Sequence, residues 1–138
     1  MKPVEEMFPL ALKAVEKHIA EKDNFNNKNG IDLIVKKVYN GYISSFGAAI
    51  IQSGILPAIA NLEKTTQNTE GDKKNIAKAL LYILTDLKKY SPYKESNSLL
   101  EMALKLRNDK SFQSDLKNAV IALKLSIRMF KLEEGDKK

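Results

Sequence analysis

The chain is 138 residues long, 43% hydrophobic and 29% charged, with a net charge of +6. That length builds one domain with a sizeable core and leaves no room for a second. It has no cysteine, which excludes disulfides, zinc–thiolate sites and a thiol nucleophile, and no apolar run reaches the roughly 18 residues needed to span a bilayer.

The N-terminus lacks the unbroken apolar core and small-residue cleavage site of a signal peptide, so a cytoplasmic protein is expected. Periodicity is helical nearly throughout, and no segment alternates apolar and polar residues as a strand would. Residues 4–22 are predicted to form the first helix, with Pro3 in its opening turn and Phe8, Ala11, Leu12, Val15 and Ile19 as its stripe. NFNNKNG at 24–30 is dense in residues that leave helices and reads as a loop. A second helix is expected from Ile31 to about Ser45, burying Leu33, Ile34, Val38, Tyr39 and Tyr42. GYISSFGAAIIQSGILPAIANLE, at 41–63, supplies the end of that helix and a third one.

TTQNTEGD at 65–72 is the longest polar loop. A fourth helix over 73–90 turns Ile76, Leu80, Ile83, Leu84 and Leu87 inward. SPYKES, at 91–96, breaks the chain because Pro92 disfavours helix at Ser91. A fifth helix follows through Leu99, Met102, Ala103 and Leu106. The longest helix is expected over 111–132, on a stripe of Phe112, Leu116, Ala119, Val120, Leu123, Ile127 and Phe130. The expected fold is therefore all-α: a single-domain bundle of five to six helices over 1–132, with a kinked Gly/Pro-containing central helix and a fraying tail at 133–138.

The central stretch is costly as helix. Each glycine costs about 1 kcal/mol and a proline about 3 in a helix interior. Gly47 and Gly54 lie two turns apart on one face, where small residues let a neighbouring backbone approach. Pro57 crowds the carbonyl of Ser53, which predicts a kink near Ser53–Gly54. No charged residue occurs between Lys37 and Glu63. Such a stretch is either buried centrally or meets another protein.

The catalytic inventory is thin. His18 is the only histidine, and it reads as a helix-flank residue sharing a polar contact rather than as a lone general base. Val15 stands three residues before it, so the Glu-x-x-His pattern of di-metal carboxylate bundles is absent. Neither a phosphate-binding nor a dinucleotide-binding glycine loop occurs. No enzyme, metal or cofactor is expected.

The basic residues offer more. The positive charge is concentrated in the C-terminal half. Lys110, Lys117, Lys124 and Lys131 recur every seven residues, forming a row roughly 32 Å long that drifts about 20° per heptad, with Arg128 one turn from Lys124. Lys73, Lys74, Lys78, Lys88 and Lys89 add further clusters. These residues are either a solvated surface or contacts to phosphate, which give sequence-independent affinity. The tyrosines fall mostly at core positions, so base stacking is not indicated.

Tyr39 and Tyr42 within YNGY, the following SSFGAAIIQSGILPAIANLE, and the closing basic-aromatic helix AVIALKLSIRMFKLE resemble the small all-helical subunit of Cmr complexes, the type III-B CRISPR RNA-targeting effectors. Phe46-Gly47 stands where Leu-Pro is commoner, and the frequent Trp of the last helix is replaced by Ile127 or its neighbours. The resemblance implies a non-catalytic structural subunit in antiviral defence. Copies of it would stack along the backbone subunits and help line the groove where target RNA pairs with guide RNA. Its partners would be the backbone and large Cmr subunits, copies of itself and the two RNAs, through phosphates, with no membrane contact. Subunit contact or close packing is expected of Tyr39, Tyr42, Phe46, Gly47, Gly54 and Pro57. The alternative is a helical adaptor that binds a protein through the 38–62 surface and never meets nucleic acid.

Overall fold

A computed structural model describes residues 3–22, 33–64 and 73–133. The loops expected at 24–30 and 65–72, and the tail beyond 133, lie outside the described residues. The elements in chain order are α1 (Pro3–His18), β1 (Glu21–Lys22), β2 (Leu33–Lys36), α2 (Val38–Ser53), α3 (Ile55–Glu63), α4 (Lys73–Thr85), a 3-10 helix (Lys88–Tyr93), α5 (Leu99–Lys105), α6 (Lys110–Ile127) and β3 (Lys131–Glu133). The fold is an all-α, single-domain bundle, as the periodicity predicts.

α6 is its axis, packing against α1, α2 and α4. Phe112, Leu116, Ala119, Leu123 and Ile127 are fully buried along it and meet Ile76, Leu80, Ile83 and Leu84 of α4 in one core. Each such Leu, Ile or Phe removed from water stabilises the fold by about 1.5–3 kcal/mol. The stripe of α1 is rotated from the expected one. Met7, Ala11, Ala14 and Val15 are buried, while Phe8 and Leu12 are only half-buried. The alanines let α1 lie close to α6, and the bulkier residues sit at the flank.

Short α5 and long α6 are both capped by the residues that precede them. The Asp109 carboxylate accepts from the Ser111 and Phe112 amides at 2.9 and 3.2 Å. Ser98 Oγ accepts from the Glu101 amide at 3.0 Å. Glu63, at the end of α3, adds a tertiary cap by accepting from the Leu99 amide at 2.9 Å. These acceptors satisfy N–H groups that have no partner inside the helix.

The expected kink is a complete break. Gly54 closes α2 through its amide, which donates to Ile50 O at 3.0 Å, and its own carbonyl accepts from Ala58 at 3.2 Å to open α3. Its backbone stands at φ 93°, ψ 167°, a region open essentially to glycine alone. Pro57 is the third residue of α3, where an N–H would have no helical acceptor, so the proline removes no hydrogen bond.

Three short strands depart from the helical expectation. β1 pairs antiparallel with β2, placing Glu21 opposite Ile34, and β2 pairs in parallel with β3, placing Ile34 opposite Lys131. Lys36 and Glu21 form an ion pair across the first pair at 3.8 Å. The run Leu33–Lys36 includes the β-branched Ile34 and Val35, and an apolar run of only three residues carries no period that separates strand from buried helix. α6 accordingly ends at Ile127, five residues short of its expected end. The Met129 and Phe130 amides turn back to Ser126 and Ile127, and the chain leaves as β3.

The fourth helix also stops early, at Thr85, and a 3-10 segment carries Tyr90 into the core.

Candidate functional site

The expected row of four lysines is a row of three. Lys110, Lys117 and Lys124 lie on α6 and span roughly 21 Å at 1.5 Å per residue. Lys131 is corrected out of the row, because β3 carries its backbone into the sheet beside Ile34. Lys110 and Lys117 are exposed, Lys124 is half-buried, and Arg128 is exposed just past the helix end. Ile121 lies between Lys117 and Lys124 on the same exposed stripe and Leu125 follows Lys124, so the stripe mixes cation and hydrocarbon.

Lys117 and Lys124 border a cavity of about 450 Å³ between α2 and α6, with Ile50, Ile51, Val120 and Ile121 among its lining. A second cavity of about 440 Å³ shares Ile50 and Lys117 and continues past Gly54 to Leu56, Pro57 and Arg107. Arg107 is held at that end by hydrogen bonds to its neighbours. Its guanidinium donates to Leu104 O at 2.7 Å, and its carbonyl accepts from Gln113 Nε2 at 3.0 Å. No aspartate or glutamate lines either cavity.

The other basic candidates occupy different surfaces. Lys73 lies beside Tyr42, Phe46 and Leu62 where α4 meets α2 and α3. Lys74 and Lys78 line a groove with Glu63 and Leu99, and Lys88 is exposed on the 3-10 helix. Lys89 is committed internally. Its ammonium lies 2.8 Å from Asp115, donates to Ser111 Oγ at 2.7 Å and sits 5.4 Å from the centre of the Tyr90 ring. The Tyr90 hydroxyl donates to Asp115 at 2.6 Å. Burial, followed by that hydrogen bond to a carboxylate, raises the phenol above its ordinary range.

The aromatic residues of the central stretch face inward. Tyr39 and Phe46 are 2% and 3% exposed. The Tyr39 hydroxyl accepts from Asn75 Nδ2 at 2.9 Å, and half-buried Tyr42 packs edge-on against its ring at 5.8 Å. A Cβ at Gly47 would meet only Val120 Cγ1, at 3.9 Å, and one at Gly54 only Pro57 Cδ, also at 3.9 Å. Neither glycine therefore marks a backbone pressed against its neighbour. Gly54 and Pro57 are exposed at the α2–α3 corner.

His18 packs edge-on against Tyr82 at 5.9 Å. Burial, with Lys17 and Lys78 adding repulsion, pushes its pKa below the ordinary 6.5, so the imidazole is neutral at pH 7. Among the described residues no group of three or more His, Cys, Asp or Glu is placed to hold a metal.

Three residues of the α2–α6 surface escaped the sequence reading: Ile51, 84% exposed, Ile121, 48% exposed, and Arg107. One signal was present for Ile51. Adjacent helical residues point about 100° apart, so Ile50 and Ile51 do not share one buried face.

Among the described residues no helix is long and apolar enough to cross a membrane. No curated protein and no solved structure matches the chain. A protein-family model described as CRISPR-associated protein (Cas_Cmr5) matches residues 10–123, from within α1 to near the end of α6. That span takes in the Tyr39–Tyr42 pair, the Gly54 break and most of the α6 stripe, and the chain therefore belongs to this Cmr subunit family of CRISPR-associated proteins.

Proposed function

We propose that the protein is a non-catalytic structural subunit of a type III-B CRISPR ribonucleoprotein. It stacks along the backbone filament beside further copies of itself and helps line the groove that holds guide and target RNA in antiviral defence. The observation that carries this reading is the family match over 10–123, on a small helical fold. The surface supports it. Lys78, Lys88, Lys110 and Arg128 are all exposed, as a set of phosphate contacts requires. Lys117 and Lys124 border hydrocarbon, and Lys89 is held by Asp115, so these three fit a phosphate backbone less well. The one histidine packs edge-on against the Tyr82 ring at the flank of α1, which favours a packing role over a catalytic one.

The test is RNA retention by the assembled complex across a salt series. Replacing Lys78, Lys88, Lys110 and Arg128 with Gln removes four cations. The slope of log affinity against log salt should fall by up to about 3, at about 0.7 per lost contact. An unchanged slope removes these residues from the RNA-binding account. The second reading, an adaptor with no nucleic-acid role, draws on the exposure of Ile51 and Ile121. It predicts partner binding that persists at high salt in a complex without RNA.

A further inference from the structure

We propose that the groove between α2 and α6, continued past Gly54 toward Arg107, docks an acidic amphipathic helix from another protein chain. Ile51 is the most exposed large apolar residue among those described, and Ile121 faces the same cavity from α6. Hydrocarbon left in water on both walls of one groove is what an apolar partner face would cover.

The rim sets the partner's charge. Lys117, Lys124 and Arg107 line the two adjoining cavities, and no acidic side chain joins them. Neither Lys117 nor Lys124 makes an ion pair among the described residues. The carboxylates of α6 and its cap are already used, Asp115 by Lys89 and Tyr90 and Asp109 in capping the helix.

The walls set the partner's backbone. Both are helix surfaces whose amide and carbonyl groups are spent within the helices, so an extended strand would find no ladder to join. A helix brings its own backbone hydrogen bonds. Lys117 and Lys124 are two helical turns apart, roughly 10.5 Å along the axis. The matching helix carries carboxylates at i and i+7, with apolar residues at i+3 and i+4 to meet Ile51 and Ile121.

Two other occupants fit less well. RNA gains nothing from isoleucine walls, and the one aromatic ring lining either cavity, Phe112, is 1% exposed and offers no face for stacking. A second copy of this chain brings its own charge of +6 to a basic rim.

The experiment uses the full-length protein and a fluorescein-labelled peptide of about 20 residues, helical, with Glu two turns apart around a Leu stripe. A second peptide has Lys in place of each Glu. Anisotropy should show saturable binding of the acidic peptide alone. Ile51→Asp with Ile121→Asp should weaken it about tenfold or more. Lys117→Glu with Lys124→Glu should lose the acidic peptide and gain the basic one. Ile51, Lys117 and Ile121 are exposed and Lys124 is half-buried, and an unchanged melting curve confirms that each variant folds. No binding of the acidic peptide, equal binding by the Ile51/Ile121 variant, or no exchange of preference overturns the proposal.

A photo-cross-linking residue at position 51 in the purified complex supplies the independent measurement. An adduct with an acidic helix of another subunit supports the proposal; an adduct with RNA, an adduct with a copy of this chain, or no adduct overturns it. RNA retention through Lys78, Lys88, Lys110 and Arg128 is read separately, so the two proposals fail independently.

Discussion

Substituting alanine for the glycines of the central stretch should give opposite signs at neighbouring positions. At Gly54 the backbone sits at φ 93°, ψ 167°, and an L side chain there stores about 1–3 kcal/mol of strain. Space is not the obstacle, because a Cβ would meet only Pro57 Cδ at 3.9 Å. At Gly47 the backbone is helical and a Cβ would find Val120 Cγ1 at 3.9 Å, an ordinary contact. Gly47→Ala should therefore stabilise the protein by about 0.5–1 kcal/mol through helix propensity and a less free unfolded chain. Gly41→Ala, with nothing within 4 Å of its Cβ, should do the same. Urea titration of the three variants reads each effect as a shift in midpoint at constant slope. A neutral Gly54→Ala would show that α2 runs into α3 without the break. A destabilising Gly47→Ala would restore the close backbone approach that the glycine spacing predicts.

Three further outcomes follow from the packing. His18 is the only histidine, so its imidazole resonance can be followed alone by NMR, and it should titrate below 6.5. Its folded pKa is the lowered one, so its contribution to stability is present above pH 6.5 and is lost as pH falls through the folded value. A titration at or above 6.5 would refute the burial against Tyr82. Tyr90 has the opposite sense. Its folded pKa is raised, so stability is intact below pH 10 and declines above it as the unfolded phenol ionises. Tyr90→Phe should flatten that decline in denaturation curves taken from pH 9 to 11, the range about the ordinary phenol value of roughly 10. Glu63→Ala strips the tertiary cap from the Leu99 amide and should cost about 1 kcal/mol. Hydrogen exchange should localise the loss to the first turn of α5, and uniform exchange would place the role of Glu63 elsewhere.

The Cmr-type character of the chain was legible because its signature is local. The YNGY tyrosines and the QSGILP break are contiguous residues, and the stripes of α4 and α6 repeat with the period of a single helix. Ile76, Leu80, Ile83 and Leu84, or Phe112, Leu116 and Leu123, need no partner to declare which way they face. The break at Gly54 was legible in position for the same reason, though its full extent depends on the unusual φ.

Tertiary structure decided the rest. The strands exist because Leu33–Lys36 and Lys131–Glu133, remote in sequence, are brought side by side at the end of α6. That pairing shortens α6 and takes Lys131 out of the lysine row, which no periodicity within either segment could reveal. The partition of the uncharged stretch between core and surface was equally non-local. α2 meets α6, α4 and α3, and those contacts bury Tyr39, Phe46 and Ile50 while leaving Ile51 in water. A sequence states that a helix has an apolar face through the spacing of its own residues. Which apolar residues remain uncovered depends on the helices packed beside it, and that is settled only when the bundle closes.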